Sequence, residues 1–177
     1  MANDRRAVVV SESVVLPVPV ERAWAFLLDW ERQAEWMRDA DRVEVVSPHR
    51  EGVGVVIAVK TRVLNVPAFT ERLEVVGWEP LRVLRLAHRG FVHGTGEWRL
   101  VPVARGDERG TRFTWEERLS FGVPVLGALS LAVYRPFMRI LMRGSLENLR
   151  RTLASAGQTP PGRPNSPDSI RGAPPAG

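Results

Sequence analysis

Residues 94–119 read GTGEWRLVPVARGDERGTRFTWEERL: two alternating runs about one polar turn. In the first, Gly96, Trp98 and Leu100 share a parity against Glu97 and Arg99. In the second, Thr111, Phe113, Trp115, Glu117 and Leu119 share a parity against Arg112, Glu116 and Arg118. A period of two marks strands with one buried and one wet face. Between them, Arg105-Gly-Asp-Glu-Arg-Gly110 has the glycine and aspartate chemistry of a hairpin loop.

Working backwards, the same period predicts strands at Val43–Ser47, Gly52–Val63, Phe69–Val76 and Leu81–His88, with a turn at Gly77-Trp-Glu-Pro80. A valine-rich strand, Ala7–Leu16, opens the fold and is stopped by Pro17 and Pro19. Two short helices follow it. In the first, Val20, Ala23, Trp24 and Leu27 recur at helical spacing, and the second spans Trp30–Met37. Pro124–Ala156 is helical in pattern, with a kink or a fresh start expected at Pro136. On this helix Met138, Leu141, Met142, Ser145, Leu149 and Thr152 fall on one side. Arg139, Arg143, Glu147 and Arg150 fall opposite, as a solvated face with Glu147 as partner; contact with a membrane surface is the alternative use of that face. Consecutive strands with tight turns imply an antiparallel meander, and one long helix must cover one of its faces. The fold class is therefore α+β.

The chain has 177 residues, a length suited to one domain, and is 44% hydrophobic and 25% charged. The domain is expected over residues 1–156. Residues 157–177, GQTPPGRPNSPDSIRGAPPAG, hold six of the fourteen prolines and a single large aliphatic side chain, and are expected to be a disordered Pro/Gly-rich tail. The absence of cysteine excludes disulfides, thiolate metal sites and cysteine nucleophiles. The net charge of +5 is a weak argument for nucleic acid, and the tryptophans face inward, so no nucleic-acid partner is expected. The N-terminal MANDRRAVVV lacks the pattern of a secretory leader. The longest apolar stretch, Phe121–Tyr134, is too short to span a bilayer, so a cytoplasmic protein without a transmembrane segment is expected.

Several strings, in this order, resemble the SRPBCC superfamily of START-like, polyketide cyclase/dehydrase and lipid-transport proteins. They are VERAWAFLLDWERQAEW, the EGVG entry to a strand, GTGEWRLVP, RGTRFTWEERL and SLENLRRTL. The similarity covers about residues 7–156. It implies a helix-grip fold, in which a curved seven-stranded antiparallel sheet wraps the C-terminal helix around an apolar cavity. It implies no single function, because the superfamily contains both carriers and enzymes. The chain carries neither the Cys–His set of a Rieske centre nor an HExxH motif.

Strand parity nominates the cavity residues. Val55, Ile57, Val59 and Thr61 share one face, as do Phe69, Glu71, Leu73 and Val75, and Leu84, Leu86 and His88 form the inward set of the fifth strand. Three inward residues are ionisable: Glu71, His88 and Glu117. Hairpin register sets Glu71 across from about Ala87 and Glu117 across from about Gly96, which gathers the three within about 10 Å near the 89–94 hairpin. They are the candidates for acid–base chemistry. The candidate ligand wall consists of Trp24, Ile57, Phe69, Leu86, Trp98, Phe113 and Trp115, with Leu141, Met142 and Ser145 from the helix. His93 and His49 are read as surface residues, and no metal or other cofactor is expected. A cavity of this kind suits a small hydrophobic molecule such as a lipid, isoprenoid or polyketide-like compound. Two functions stay open: a binding protein that returns its ligand unchanged, and a cyclase or dehydratase using Glu71, His88 or Glu117. The assembly is expected to be a monomer or a homodimer.

Overall fold

The computed structural model describes residues 7–63, 66–90, 92–105, 108–121 and 127–156; the 157–177 tail lies outside the described residues. The elements are β1 (Val8–Leu16), α1 (Val20–Leu27), a 3-10 turn (Trp30–Arg32), α2 (Gln33–Trp36), β2 (Ala40–Val45), β3 (Val56–Val63), β4 (Val66–Glu79), β5 (Val83–Arg89), β6 (Val92–Arg105), β7 (Glu108–Phe121) and α3 (Gly127–Ala156). All seven strands form one antiparallel sheet in the order β1-β7-β6-β5-β4-β3-β2. The meander runs from β2 to β7, and β1 closes onto β7. α3 packs on one face, giving the helix-grip architecture.

Where the elements differ from expectation, local chemistry gives the reason. β3 starts at Val56 rather than Gly52, because Gly52 and Gly54 hold φ of 89° and 90° in a turn. The second helix divides into a 3-10 turn and a single α turn. The β4–β5 turn lies at Pro80–Arg82, with Leu81 at φ 63°, so Gly77 and Trp78 belong to β4. A bulge between Val75 and Gly77 resets the strand phase and sets Trp78 across from Leu84. Trp78 then meets Trp24 edge-on at 5.4 Å between ring centroids. Pro136 neither ends nor restarts α3, which is a single helix; the proline lies on its exposed side, where water can satisfy the carbonyl its missing N–H leaves unpaired.

The inward parities hold along β3, β5, β6 and β7: Ile57, Leu84, Leu86, Trp98, Leu100, Phe113 and Trp115 are all buried. On α3 the buried row is Met138, Met142, Ser145, Leu146, Leu149 and Leu153, so Leu153 takes the place expected for the half-buried Thr152. On the outer side Arg139 and Arg143 pair with Glu12 of β1 at 3.0 and 2.9 Å, whereas Glu147 pairs with Arg150 and Arg151. The core centres on aromatic rings, with Trp36 5.9–6.0 Å from Trp115 and Trp98, and Trp98 5.8 Å from Phe113. No helix among the described residues is long and apolar enough to cross a membrane, which leaves strand-built membrane barrels unaddressed.

Candidate functional site

The C-terminal half of α3 lies directly on the sheet, whereas its N-terminal half stands over a cavity of about 330 Å³. Tyr134, Phe137, Met138 and Leu141 form the roof. Strands β3 to β7 form the floor through Val59, Leu73, Leu86, Trp98, Trp115 and Leu119, among others. Gln33, Met37, Asp39 and Ala40 close one side. The wall is mostly apolar, with polar groups contributed by the strands, by Gln33 of α2, by Asp39 and by Tyr134 of α3.

Of the residues nominated from sequence, Phe69, Leu86, Trp98, Trp115 and Leu141 line this cavity, together with Glu71, His88 and Glu117. Five nominated wall residues do not line it. Trp24 sits against Trp78 at the other end of the sheet. Ile57, Phe113 and Met142 are buried in the packed core, outside the cavity lining. The Ser145 hydroxyl, also buried, accepts from Arg38 N–H at 3.0 Å and donates to the Leu141 carbonyl at 3.0 Å. Strand parity and helical spacing put these side chains on the buried face, but neither separates the packed part of that face from the open part.

The three ionisable side chains are brought together. His88 lies across from Leu73 on β4, and the turn centred farther along than expected shifts Glu71 one diagonal away from it. His88 Nδ1 is 3.6 Å from Glu71 Oε2, and His88 Nε2 is 3.1 Å from Glu117 Oε2. Glu117 pairs across from Gly96, as the hairpin register indicated. A Cβ at Gly96 would lie 2.9 Å from Glu117 Oε1, so glycine provides the room for this carboxylate. Trp115 Nε1 donates to Glu117 Oε1 at 2.6 Å, which leaves each Glu117 oxygen with a partner.

Burial alone would lower the pKa of His88, but hydrogen bonds and charge from Glu117 and Glu71 outweigh it and raise the value to about 9. At neutral pH the ring is an imidazolium, with both nitrogens protonated and turned toward carboxylates. No group of three or more potential metal ligands is arranged among the described residues.

Sequence reasoning missed four polar members of the wall: Gln33, Asp39, Arg62 and Tyr134. Asp39 lies in the irregular link between α2 and β2, where no periodicity reports orientation. Burial raises its pKa to about 6 against an opposing hydrogen bond from its own backbone, and the charges of Glu117 and Glu71 add to the rise. Arg62 follows a register shift in the β3–β4 ladder and pairs with Asp41 at 3.0 Å. Tyr134 did carry a signal, since it stands one helical turn before Met138 on the face already identified. Burial, followed by the charges of Glu117, Glu71 and Asp39, raises its pKa and keeps it a neutral phenol. Glu71 Oε1, Asp39 Oδ1 and His88 Nδ1 are buried without a hydrogen-bond partner.

Residues 7–154 match the family described as "Polyketide cyclase / dehydrase and lipid transport". No curated protein matches the sequence. Among solved structures, a Thermus thermophilus protein is 20% identical with a TM-score of 0.69, covering 85% of this chain and 99% of that one. The Zhui aromatase/cyclase of a Streptomyces species is 18% identical with a TM-score of 0.63, covering 86% and 97%. A START superfamily protein of Mycobacterium smegmatis is 13% identical with a TM-score of 0.61, covering 84% and 95%. At these identities the likeness is one of fold.

Proposed function

The chain belongs to the polyketide cyclase/dehydrase and lipid transport family, and on that basis we propose that it binds a small hydrophobic molecule between its sheet and its C-terminal helix. The observation that carries this reading is the cavity of about 330 Å³ under the N-terminal half of α3, walled largely by aliphatic and aromatic side chains. Its size is at the lower end of small-molecule sites, about 300–1,000 Å³. That suits a compact molecule of two or three rings better than a two-chain lipid. Native mass spectrometry of the protein incubated with the neutral dye N-phenyl-1-naphthylamine tests the reading. One retained dye per chain is expected, and a folded protein that retains none overturns it.

A second reading, dehydration or aromatising cyclisation of such a ligand, is favoured by the pairing of His88 with a Glu71 carboxylate whose Oε1 has no partner. Glu71 would take the proton next to a ligand carbonyl while the imidazolium at His88 gives its Nδ1 proton to the departing hydroxyl. The C–H and C–O bonds break, a C=C bond forms and water leaves. The proton on Glu71 then returns to His88 across their 3.6 Å separation. Incubation with a bicyclic β-hydroxy ketone separates the readings: an enzyme releases the dehydrated product, and a carrier returns the ketone unaltered.

A further inference from the structure

The polar end of the cavity has an imbalance that selects among hydrophobic ligands. Three carboxylates line it: Asp39, Glu71 and Glu117. The two cations of the wall are engaged with acids, His88 between Glu71 and Glu117, and Arg62 on Asp41. Both oxygens of Glu117 have donors, from Trp115 and His88. By contrast, Glu71 Oε1 and Asp39 Oδ1 are buried and unpartnered; His88 Nδ1 also lacks a hydrogen bond, but it lies 3.6 Å from Glu71 Oε2, whose charge holds it. Tyr134, the remaining ionisable group of the roof, stays neutral. A buried acceptor without a donor is costly, and the group that repairs it gains more than the same group would in water. A buried anion placed beside these carboxylates would instead add like charge in a poorly screened site.

We propose that the ligand carries hydrogen-bond donors on its polar end, as a phenolic or enolic hydroxyl or a protonated amine, which Glu71 Oε1 and Asp39 Oδ1 accept, and that the site rejects carboxylate-headed ligands of the same apolar shape. The proposal rests on the hydrophobic-ligand reading and specifies the class of molecule within it. Fatty acids fall outside that class.

Four probes that share a naphthalene body test it by calorimetry at neutral pH: 2-naphthol, 2-naphthylmethylammonium, 2-methoxynaphthalene and 2-naphthoate. Naphthol and the ammonium are expected to bind more tightly than the methoxy compound. Naphthoate is expected to bind at least tenfold more weakly than naphthol. In Glu71→Gln and Asp39→Asn, which keep the side-chain shape while replacing an acceptor by a donor, this ratio should fall several-fold. Comparison of naphthol with the ammonium shows whether a neutral or a cationic donor is preferred. Naphthoate binding as tightly as naphthol to the wild type overturns the donor rule, as does a ratio unchanged in both variants. If N-phenyl-1-naphthylamine still saturates the protein in either case, the hydrophobic-ligand reading stands. No saturable binding by any probe overturns both.

Discussion

Glu117 Oε2 lies 3.1 Å from His88 Nε2, on side chains brought together by β6, which pairs Gly96 with Glu117 on one side and Gly94 with His88 on the other. The pair is held from outside the contact itself. Trp115 fixes the other Glu117 oxygen, and the bare Cα of Gly96 leaves space for the carboxylate. An imidazolium so held is part of the cavity wall.

Glu117→Gln should let burial dominate at His88. The histidine is expected to titrate near 9 in the wild type and at least one unit lower in the variant. NMR titration of the imidazole carbons measures both. A wild-type value at or below the ordinary histidine range contradicts the charge cluster.

Stability should fall as the solution becomes alkaline. A histidine whose folded pKa lies above its unfolded value stabilises the fold fully below about 6.5, and that contribution is lost as pH rises through about 9. The upper bound is on the order of 3 kcal/mol. The raised pKa of Asp39 acts in the same direction at lower pH, with stability lost as pH rises through about 6. Urea midpoints measured across this range should decline; a midpoint rising towards pH 9 contradicts the assignment.

Gly96→Ala should force Glu117 away from its place. A Cβ 2.9 Å from Oε1 cannot be accommodated without movement, and overpacking of this kind costs about 1–3 kcal/mol. Urea denaturation measures the loss, and the His88 titration should move down with it.

Much of this site was legible in sequence, because strand alternation says which face a side chain takes. Glu71, His88 and Glu117 were nominated on parity and register, and the structure brings them together. Parity does not say which end of a face is packed and which is open. Ile57, Phe113 and Met142 are inward yet lie in the packed core, outside the cavity lining. Nor does it report bulges: those near Thr61 and Val75 in the ladders carry no sequence mark, and they accompany Arg62 in the cavity wall and Trp78 against Trp24. Asp39, in a link without period, was beyond reach for the same reason.

Trp24→Ala separates stability from binding. Trp24 is 8% exposed and packs on Trp78 away from the cavity. Its truncation should cost about 3–5 kcal/mol and leave dye affinity within twofold at a temperature where the variant is folded. A wild-type urea midpoint would show that its burial contributes little.

The central claim is that the space under the N-terminal half of α3 is the binding site. Fluorescence titration with N-phenyl-1-naphthylamine, on the wild type and on Leu141→Trp, tests it most directly, since Leu141 lies in the cavity roof and a larger ring there fills the space. The account predicts saturation at one dye per wild-type chain, with quenching of tryptophan emission, and at least a tenfold weaker affinity in a Leu141→Trp protein that still unfolds cooperatively. Equal affinity in the two proteins, or no saturable binding by the folded wild type, would contradict it.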